Sequence, residues 1–368
     1  MKNLSYFALS FVPGIGPILA RQLIERIGSA EAIFQEKTRV LEKVPGIGHT
    51  LASEIKRPEV LQRAEKELEF VEKNHIRCFF LNDEDYPRRL KECPDAPLIL
   101  YYKGNADLDA KHILSIVGTR KASEYGRTLT EKLAAGIALR FPDTLIISGL
   151  AYGIDVYAHR NALANHLPTV AVLAHGLDRI YPAAHRSTAV EMLGNGGLLT
   201  DFPSGIFPDR PNFLSRNRII AGLADATVVV ESRETGGSLV TADLAISYSR
   251  EVFTFPGRTY DLNSKGCNNL IRANKAALIT SADDLIESLG WNTRFEKKAE
   301  SQQTELFFAA TPEQEKVLQL LKTEGEKHIN EIALRLSMPI QQLSTLLFEL
   351  EMNGSVKTLP GNVYRLKN

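Results

Sequence analysis

The chain has 368 residues, of which 44% are hydrophobic, and this length predicts two or three domains; we expect three. Lys and Arg together number 44, as do Asp and Glu, which excludes a net positive field or a basic tail for nucleic acid. Three cysteines without a CxxC pair indicate neither a disulfide framework nor a structural zinc site, which fits a reducing cytoplasm. No apolar run approaches the roughly 18 residues of a membrane span, so we expect a cytoplasmic protein with no such span.

Residues 1–70 are predicted to form a small helical module built on a repeat. Val-Pro-Gly-Ile-Gly occurs at 12–16 and again at 44–48. Each copy places two glycines in a turn that opens a helix, where backbone N–H groups can bind a phosphate. The repeat resembles the tandem helix-hairpin-helix module, a binder of the DNA backbone; a helical bundle or protein-docking module is the alternative. The candidate contacts are Gly14, Gly16, Gly46 and Gly48, with Arg21 and Lys56 nearby.

Residues 71–290 are predicted to form a Rossmann-like α/β core with a short lead-in. From 111 to 290, apolar strands alternate with amphipathic helices, which is typical of a doubly wound, mainly parallel sheet covered on both faces. Ligands of such sheets bind at the carboxyl ends of the strands. The predicted strands are 113–117, 145–148, 170–174, 198–201, 227–231, 252–255 and 278–280.

Four segments of this core carry residues suited to a phosphate or a base edge. Gly118-Thr119-Arg120-Lys121 follows the first strand and offers an arginine fork. Ser148-Gly149 opens a glycine-flanked loop, and Gly236-Gly237-Ser238 opens a helix as a phosphate nest. Ser215-Arg216-Asn217-Arg218 lies on a predicted helix, and we interpret its charged edge as a recognition surface rather than a solvated face. Because the phosphate nest lacks the lysine of a P-loop, triphosphate hydrolysis is not indicated.

Asp155 and His159 are four residues apart, so both can face one way on a helix. A metal site or an acid–base pair is one interpretation of this spacing. We favour a structural role, because no third ligand occurs at a suitable spacing and an aspartate near a helix start is a common structural device. We expect no metal, no cofactor and no catalytic residue.

The C-terminal part is predicted to contain a linker, 291–310, and a winged-helix domain, 311–368, with three helices followed by a hairpin. The domain has seven basic and seven acidic residues, and its predicted recognition helix, about 339–353, has no Lys or Arg but carries Glu349 and Glu351. Major-groove binding relies on basic contacts to phosphate. We therefore expect this domain to dock a protein or to pack on a dimer.

The core motifs together resemble the DNA-processing protein A (DprA/Smf) family over about residues 75–290, because they occur in that family's order. The resemblance implies a homodimer that binds single-stranded DNA without sequence preference, protects incoming DNA in natural transformation and loads the RecA recombinase, with no catalytic step. It places the DNA site at Arg120, Lys121, Ser148, Gly149, Arg216, Asn217, Arg218, Gly236, Gly237 and Ser238. It places the dimer contact at Leu270, Ile271 and Leu278.

The chain departs from this family after the turn at Tyr181-Pro182, where the family usually has a basic DNA-contacting residue and this chain has Ala183-Ala184. The candidate substitutes are His185, Arg186 and Arg179.

A nucleotide-processing enzyme is the alternative class. Rossmann-like proteins such as the cytokinin-activating phosphoribohydrolases also use a Gly-Gly-Ser/Thr turn for a phosphate, and Asp155 or Glu231 would then be catalytic. The tandem hairpins and the winged helix argue against this class, since a free nucleotide needs neither.

Overall fold

The chain folds into two units, residues 1–291 and residues 292–368. The computed structural model describes residues 2–291, 311–352, 355–359 and 361–366. All but the first residue of the predicted linker, 291–310, lies outside the described residues. In the described ranges, no helix is long and apolar enough to cross a membrane.

Over residues 2–291, the first unit contains fourteen α-helices, nine strands and one short 3-10 turn at Ala183–His185. The helices are α1 (Lys2–Ser10), α2 (Pro17–Ile27), α3 (Ala30–Gln35), α4 (Thr38–Leu41), α5 (His49–Ile55), α6 (Pro58–Lys73), α7 (Arg88–Lys91), α8 (Glu124–Arg140), α9 (Ile154–Ala164), α10 (Arg186–Met192), α11 (Arg210–Leu223), α12 (Gly237–Ser247), α13 (Lys265–Arg272) and α14 (Ala282–Ser288). The strands are β1 (Arg77–Phe80), β2 (Ile99–Gly104), β3 (Ile113–Val117), β4 (Leu145–Ser148), β5 (Thr169–Val172), β6 (Gly196–Thr200), β7 (Ala226–Val229), β8 (Glu251–Thr254) and β9 (Ala277–Leu278).

The nine strands form one sheet in the order β1-β2-β6-β5-β4-β3-β7-β8-β9. Strands β3 to β9 are mutually parallel, whereas β2 runs antiparallel to both β1 and β6. Every residue of β3, β4, β5 and β7 is buried, as expected of a parallel sheet covered on both faces. The chain order reverses between β3 and β7, which makes this the switch point where open α/β sheets bind ligands. The predicted Rossmann-like fold class is confirmed.

The N-terminal repeat forms two hairpins that pack against each other in equivalent positions. Gly14 and Gly46 have φ of +84° and +83°, a backbone conformation that favours glycine. A Cβ atom on Gly14 would lie 2.8 Å from Leu51, and one on Gly46 would lie 2.8 Å from Leu19. The first glycine of each copy therefore serves both its turn and the contact between the hairpins.

The helical module shares its hydrophobic core with the sheet. The ring of Phe7 on α1 lies 5.8 Å from that of Phe80 on β1 and 5.9 Å from that of Tyr101 on β2. On α6, the fully buried carboxylate of Glu67 accepts hydrogen bonds from the backbone N–H and the hydroxyl of Ser204, at 2.9 and 2.6 Å. Both contacts fix the module against the core of the same unit.

The second unit has the predicted winged-helix layout. Its elements are α15 (Pro312–Glu324), β10 (Lys327–His328), α16 (Ile329–Leu336), α17 (Ile340–Met352), β11 (Val356–Leu359) and β12 (Val363–Leu366). The strands form a sheet in the order β10-β12-β11. Leucines of α17 at 343, 347 and 350 recur at helical spacing and fill the core of the unit, which also contains Val317 and Ile332.

Candidate nucleic-acid interface

A pocket of about 600 Å³ opens at the carboxyl ends of β3 and β7. The loop after β3 contributes 118–120, and the segment after β7 contributes 232, 233 and 235–238. The wall also includes residues of α11 together with Ala151, Asp155 and Tyr181. The pocket therefore lies at the switch point of the sheet, where the sequence places its ligand-binding turns.

Arg216 of α11 forms part of the pocket wall and is 3% exposed. Its Nη1 donates hydrogen bonds to the carbonyl oxygens of Gly149, at 2.9 Å, and Val172. Its Nε has no hydrogen-bond partner among the described residues, and no described carboxylate lies within salt-bridge distance. Burial lowers the pKa of Arg216 to about 10, although the nearby Asp155 raises it. A buried guanidinium without an ion pair is costly, and an anion in the pocket would offset that cost.

Gly149 has a different role from the one that the sequence suggested. A Cβ atom at this position would lie 2.4 to 2.6 Å from the guanidinium atoms of Arg216. Glycine is therefore needed here so that Arg216 can pack closely, and Gly149 itself is not among the pocket-lining residues.

The ring of Phe213 lies near both Arg216 and a second arginine, Arg120, and the ring of Tyr181 lies near Phe213. The guanidinium carbons of Arg120 and Arg216 lie 5.2 and 5.8 Å from the ring centroid of Phe213. The ring of Tyr181 lies 6.0 Å from Phe213 and is 47% exposed. Arg120 is exposed, so its charge faces solvent at the rim of the pocket. Cations beside a ring face suit a ligand that carries both phosphate and base.

The Gly-Gly-Ser turn begins α12 at the edge of the pocket. Gly236 is the N-cap residue, where a Cβ atom would lie 2.3 Å from Ser232 Oγ, whereas one on Gly237 would meet nothing within 4 Å. Ser238 is buried, and its hydroxyl donates to Ser232 Oγ at 3.0 Å. Asn217 of α11 donates from Nδ2 to the carbonyl of Gly237 at 3.4 Å. Gly236, Gly237 and Ser238 all line the pocket, and their role as a phosphate nest stays a prediction.

Besides Gly149, three predicted site residues lie outside the pocket lining. Arg218 forms an ion pair with Asp201, with both side chains 11% exposed, and also donates to the carbonyl of Asp95. The hydroxyl of Ser148 is buried and donates to the carbonyl of Ile116 at 2.6 Å. Lys121 is exposed but does not line the pocket. Arg216 and Arg218 therefore do not share one charged edge.

Two further arginines of the pocket were not among the predicted residues. Arg233 follows β7 as Arg120 follows β3, and Arg210 begins α11; both are exposed and line the pocket. The position of Arg233 after a strand was a usable signal. Arg210 had no comparable signal, because only the packing of α11 on the sheet brings its first turn to the pocket.

The groups of the alternative enzyme hypothesis have structural partners. Burial raises the pKa of Asp155, while Arg216 and backbone hydrogen bonds at Ala151 and Gly149 oppose that shift. Glu231 is 3% exposed and accepts hydrogen bonds from the N–H and hydroxyl of Ser123, at 2.9 and 2.5 Å, just before α8.

His159 pairs with the sheet rather than with Asp155. Its Nε2 accepts from the N–H of Leu150 at 3.3 Å, and its Nδ1 lies 2.7 Å from the hydroxyl of Thr169. Burial, assisted by the charge of Arg216, lowers the pKa of His159 to about 3, so the ring is neutral. Among the described residues, no group of three metal-ligating side chains occurs.

The candidate basic residues near Ala183 have different surroundings. His185 is buried, with Nδ1 2.8 Å from the carbonyl oxygen of Leu150, whereas Arg186 is exposed. Arg179 pairs with Asp178 and lies against the ring of Phe207. Of the three candidates, only Arg186 and Arg179 are thus accessible near this turn.

The basic residues near the hairpins have carbonyl partners within the unit. Arg21 donates to Cys93 at 3.1 Å and to Lys91 at 2.9 Å, and Lys56 donates to Phe34 at 2.6 Å. Both cations are bound to carbonyl groups of the fold, so they add little to the DNA-binding interpretation of the hairpin glycines.

The predicted dimer residues differ in exposure. Leu270 is 6% exposed and belongs to the core, Ile271 is half-buried, and Leu278 on the edge strand β9 is 49% exposed. Of the three, Leu278 offers the most surface to a second copy.

The predicted recognition helix of the winged helix is acidic in sequence, but its carboxylates are engaged. Glu349 accepts from Gln314 Nε2 at 2.8 Å, and Glu351 accepts from the N–H of Thr358 at 3.2 Å. That this domain docks protein rather than DNA stays a prediction.

Fold and site together define a class of protein: a doubly wound core with an arginine- and glycine-lined pocket, preceded by tandem helix-hairpin-helix motifs and followed by a winged helix. The family described as DNA recombination-mediator protein A matches residues 77–290, the DprA winged helix domain matches 298–362, and the SAM-like helix-hairpin-helix tandem matches 7–57. The chain belongs to this DprA/Smf family of DNA-processing proteins, which confirms the resemblance seen in its motifs.

Three relatives illustrate the similarity. Protein Smf of Synechocystis is 36% identical over 289 residues, which cover 77% of this chain and 72% of that protein. The X-ray structure of DNA processing protein A from Streptococcus pneumoniae has a TM-score of 0.66 at 32% identity and covers 78% of this chain and 98% of that one. The Helicobacter pylori protein, described for its single-stranded DNA binding mode, has a TM-score of 0.52 at 29% identity and covers 58% of this chain and 96% of that one.

Proposed function

We propose that this chain binds single-stranded DNA without sequence preference in the pocket at the switch point. The observation that carries the proposal is the buried guanidinium of Arg216, which lacks an ion pair among the described residues and lies beside Phe213 and the exposed Arg120. The Helicobacter pylori relative, which binds single-stranded DNA, supports it.

Different residues of the pocket bind the phosphates and the bases of the strand. Arg216 and the helix start at Gly237 provide fixed positive potential for a phosphate, and Arg120 adds a solvent-facing cation at the rim. Phe213 offers a ring on which any base can stack, which gives affinity without sequence readout. A duplex hides its bases within the stack, so the same pocket favours single strands.

The test measures fluorescence anisotropy of labelled oligothymidylate and of a duplex over a series of salt concentrations. Wild type binds the single strand more tightly, with affinity that falls as salt rises. Arg120→Ala and Phe213→Ala each lose roughly tenfold in affinity, consistent with about 1–3 kcal/mol per charged hydrogen bond or stacked base. Arg39→Ala, an exposed arginine outside the pocket lining, is the matched control. Equal affinity of the pocket variants and wild type would refute the proposal.

We further propose that the protein acts as a homodimer that protects incoming strands in natural transformation and loads the RecA recombinase onto them, with no catalytic step of its own. The family description as a recombination mediator supports this role. In the corresponding assay, the protein accelerates RecA filament formation on strands coated with single-strand-binding protein, and Arg120→Ala does not. Sedimentation of wild type and Leu278→Glu tests the dimer; a monomeric wild type would contradict it.

A further inference from the structure

A second contact between an arginine and an aromatic ring lies beside the pocket, and the proposed function does not use it. Phe207 is 68% exposed, and the guanidinium carbon of Arg179 lies 3.6 Å from its ring centroid. Pro208, which follows Phe207, and Tyr181, two residues after Arg179, both line the pocket. The Phe207–Arg179 pair therefore adjoins the pocket wall through two separate chain segments.

The exposed ring is held in place because its loop is anchored on both sides. Asp178 accepts a hydrogen bond from the N–H of Gly205 at 3.2 Å and two from Arg179 at 2.5 and 3.1 Å. One carboxylate thus ties the segment of Arg179 to the loop of Phe207. Further along the chain, Asn212 Nδ2 donates to the carbonyl of Phe207 at 3.1 Å.

The first residues of the same loop are bound to the helical module. The buried carboxylate of Glu67 accepts both the N–H and the hydroxyl of Ser204, and Arg63 donates to the carbonyl of Ser204 at 2.5 Å. Gly176 donates to the carbonyl of Ile206 at 3.4 Å. An exposed phenyl ring on a loop with this many anchors loses little conformational freedom when a flat ligand binds to it.

We propose that Phe207, backed by Arg179, is a second base-stacking platform that holds a nucleotide of the single strand just outside the pocket. The proposal rests on the proposed function of the pocket and extends it to the next part of the strand. One face of the phenyl ring is covered by the guanidinium, and its remaining exposed surface suits a nucleobase.

The ion pair between Arg179 and Asp178 determines whether this platform binds the base or the phosphate of a nucleotide. Because Asp178 neutralises most of the charge of Arg179, the platform contributes stacking rather than attraction for phosphate. Its contribution is therefore nearly independent of salt. Arg120 differs, because its removal lowers the salt slope by about 0.7 for each phosphate that the side chain binds.

The experiment compares a dinucleotide of thymidylate, short enough to be held within the pocket, with an oligothymidylate of twenty nucleotides, using the full-length protein. Phe207→Ala weakens binding of the 20-mer about five- to hundredfold, the range for one stacked base, while the dinucleotide binds as to wild type. Phe207→Trp restores the affinity, and its indole fluorescence is quenched on addition of the 20-mer. Tyr260→Ala is the matched control, since Tyr260 is 70% exposed, accepts a hydrogen bond from Arg258 and does not line the pocket.

Each outcome decides between the two proposals. Wild-type affinity of Phe207→Ala for the 20-mer, equal losses for both lengths, or an unquenched Phe207→Trp overturns the platform and leaves the pocket intact. If wild type binds neither oligonucleotide, the proposed function fails and the platform fails with it. A changed salt slope in Phe207→Ala would also overturn the platform, because it would indicate that Phe207 positions a phosphate.

Discussion

Replacing Gly149 by alanine tests whether the position of Arg216 determines binding. The added Cβ would lie 2.4 Å from Nη1 and 2.6 Å from the guanidinium carbon, more than 1 Å inside the usual contact distance of about 3.5–4.0 Å. Gly149 does not have a positive φ, so alanine fits the backbone without strain. The clash is therefore relieved by the guanidinium of Arg216, which must move away by about that distance. The hydrogen bond from Arg216 to the Gly149 carbonyl, at 2.9 Å, is then broken or distorted.

The loss of one well-placed charged hydrogen bond to a phosphate is about 1.5–3 kcal/mol, so we expect Gly149→Ala to bind oligothymidylate roughly ten- to hundredfold more weakly. Crowding in the core costs about 1–3 kcal/mol of folding stability in addition, which lowers Tm by only a few degrees in a unit of this size. Anisotropy titration together with thermal unfolding separates the two effects. Gly194→Ala, in an exposed turn with its nearest neighbour at 3.5 Å, is the control. Affinity within twofold of wild type would refute the reasoning about Arg216.

Three other predictions concern stability. Burial lowers the pKa of His159 from 6.5 in the unfolded chain to about 3 in the folded one, so the unfolded chain takes up the proton first, and the stability present above pH 6.5 declines below it by about 1.4 kcal/mol per pH unit. Urea unfolding at pH 7 and at pH 5 should therefore show a loss of unfolding free energy about 2 kcal/mol larger for wild type than for His159→Gln, and parallel pH profiles would contradict this. Arg218→Ala leaves the mostly buried Asp201 without its ion-pair partner and should lower the free energy of unfolding by about 3 kcal/mol while sparing DNA affinity. A selective loss of binding would return Arg218 to the site. Gly14→Ala combines a φ of +84° with a 2.8 Å contact to Leu51 and should cost about 1–3 kcal/mol, whereas Gly16→Ala meets nothing within 4 Å; equal Tm values for the two variants would argue against this packing.

The sequence by itself determined the fold class and predicted two of the segments that line the pocket. Strands such as Ile113–Val117 are apolar runs because both faces of a parallel sheet are covered, so their identity is local information. The motif 118–120 and the Gly-Gly-Ser turn both follow strands, and parallel strands bring such turns to one edge. The repeat at 12–16 and 44–48 likewise predicted its hairpins, since each glycine turn is encoded within five residues.

Only the tertiary structure decided which side chains share the pocket. Arg216 and Arg218 are two residues apart on a helix, so they point about 200° apart, and the packing of α11 on the sheet turns the first to the pocket and the second to Asp201. The same packing brings Phe213 and Arg210 to the wall. Gly149 had looked like room for a phosphate, but that room is filled by an arginine 67 positions later in the chain. Contacts of this kind depend on how elements distant in sequence pack, and a local pattern holds no information about that packing.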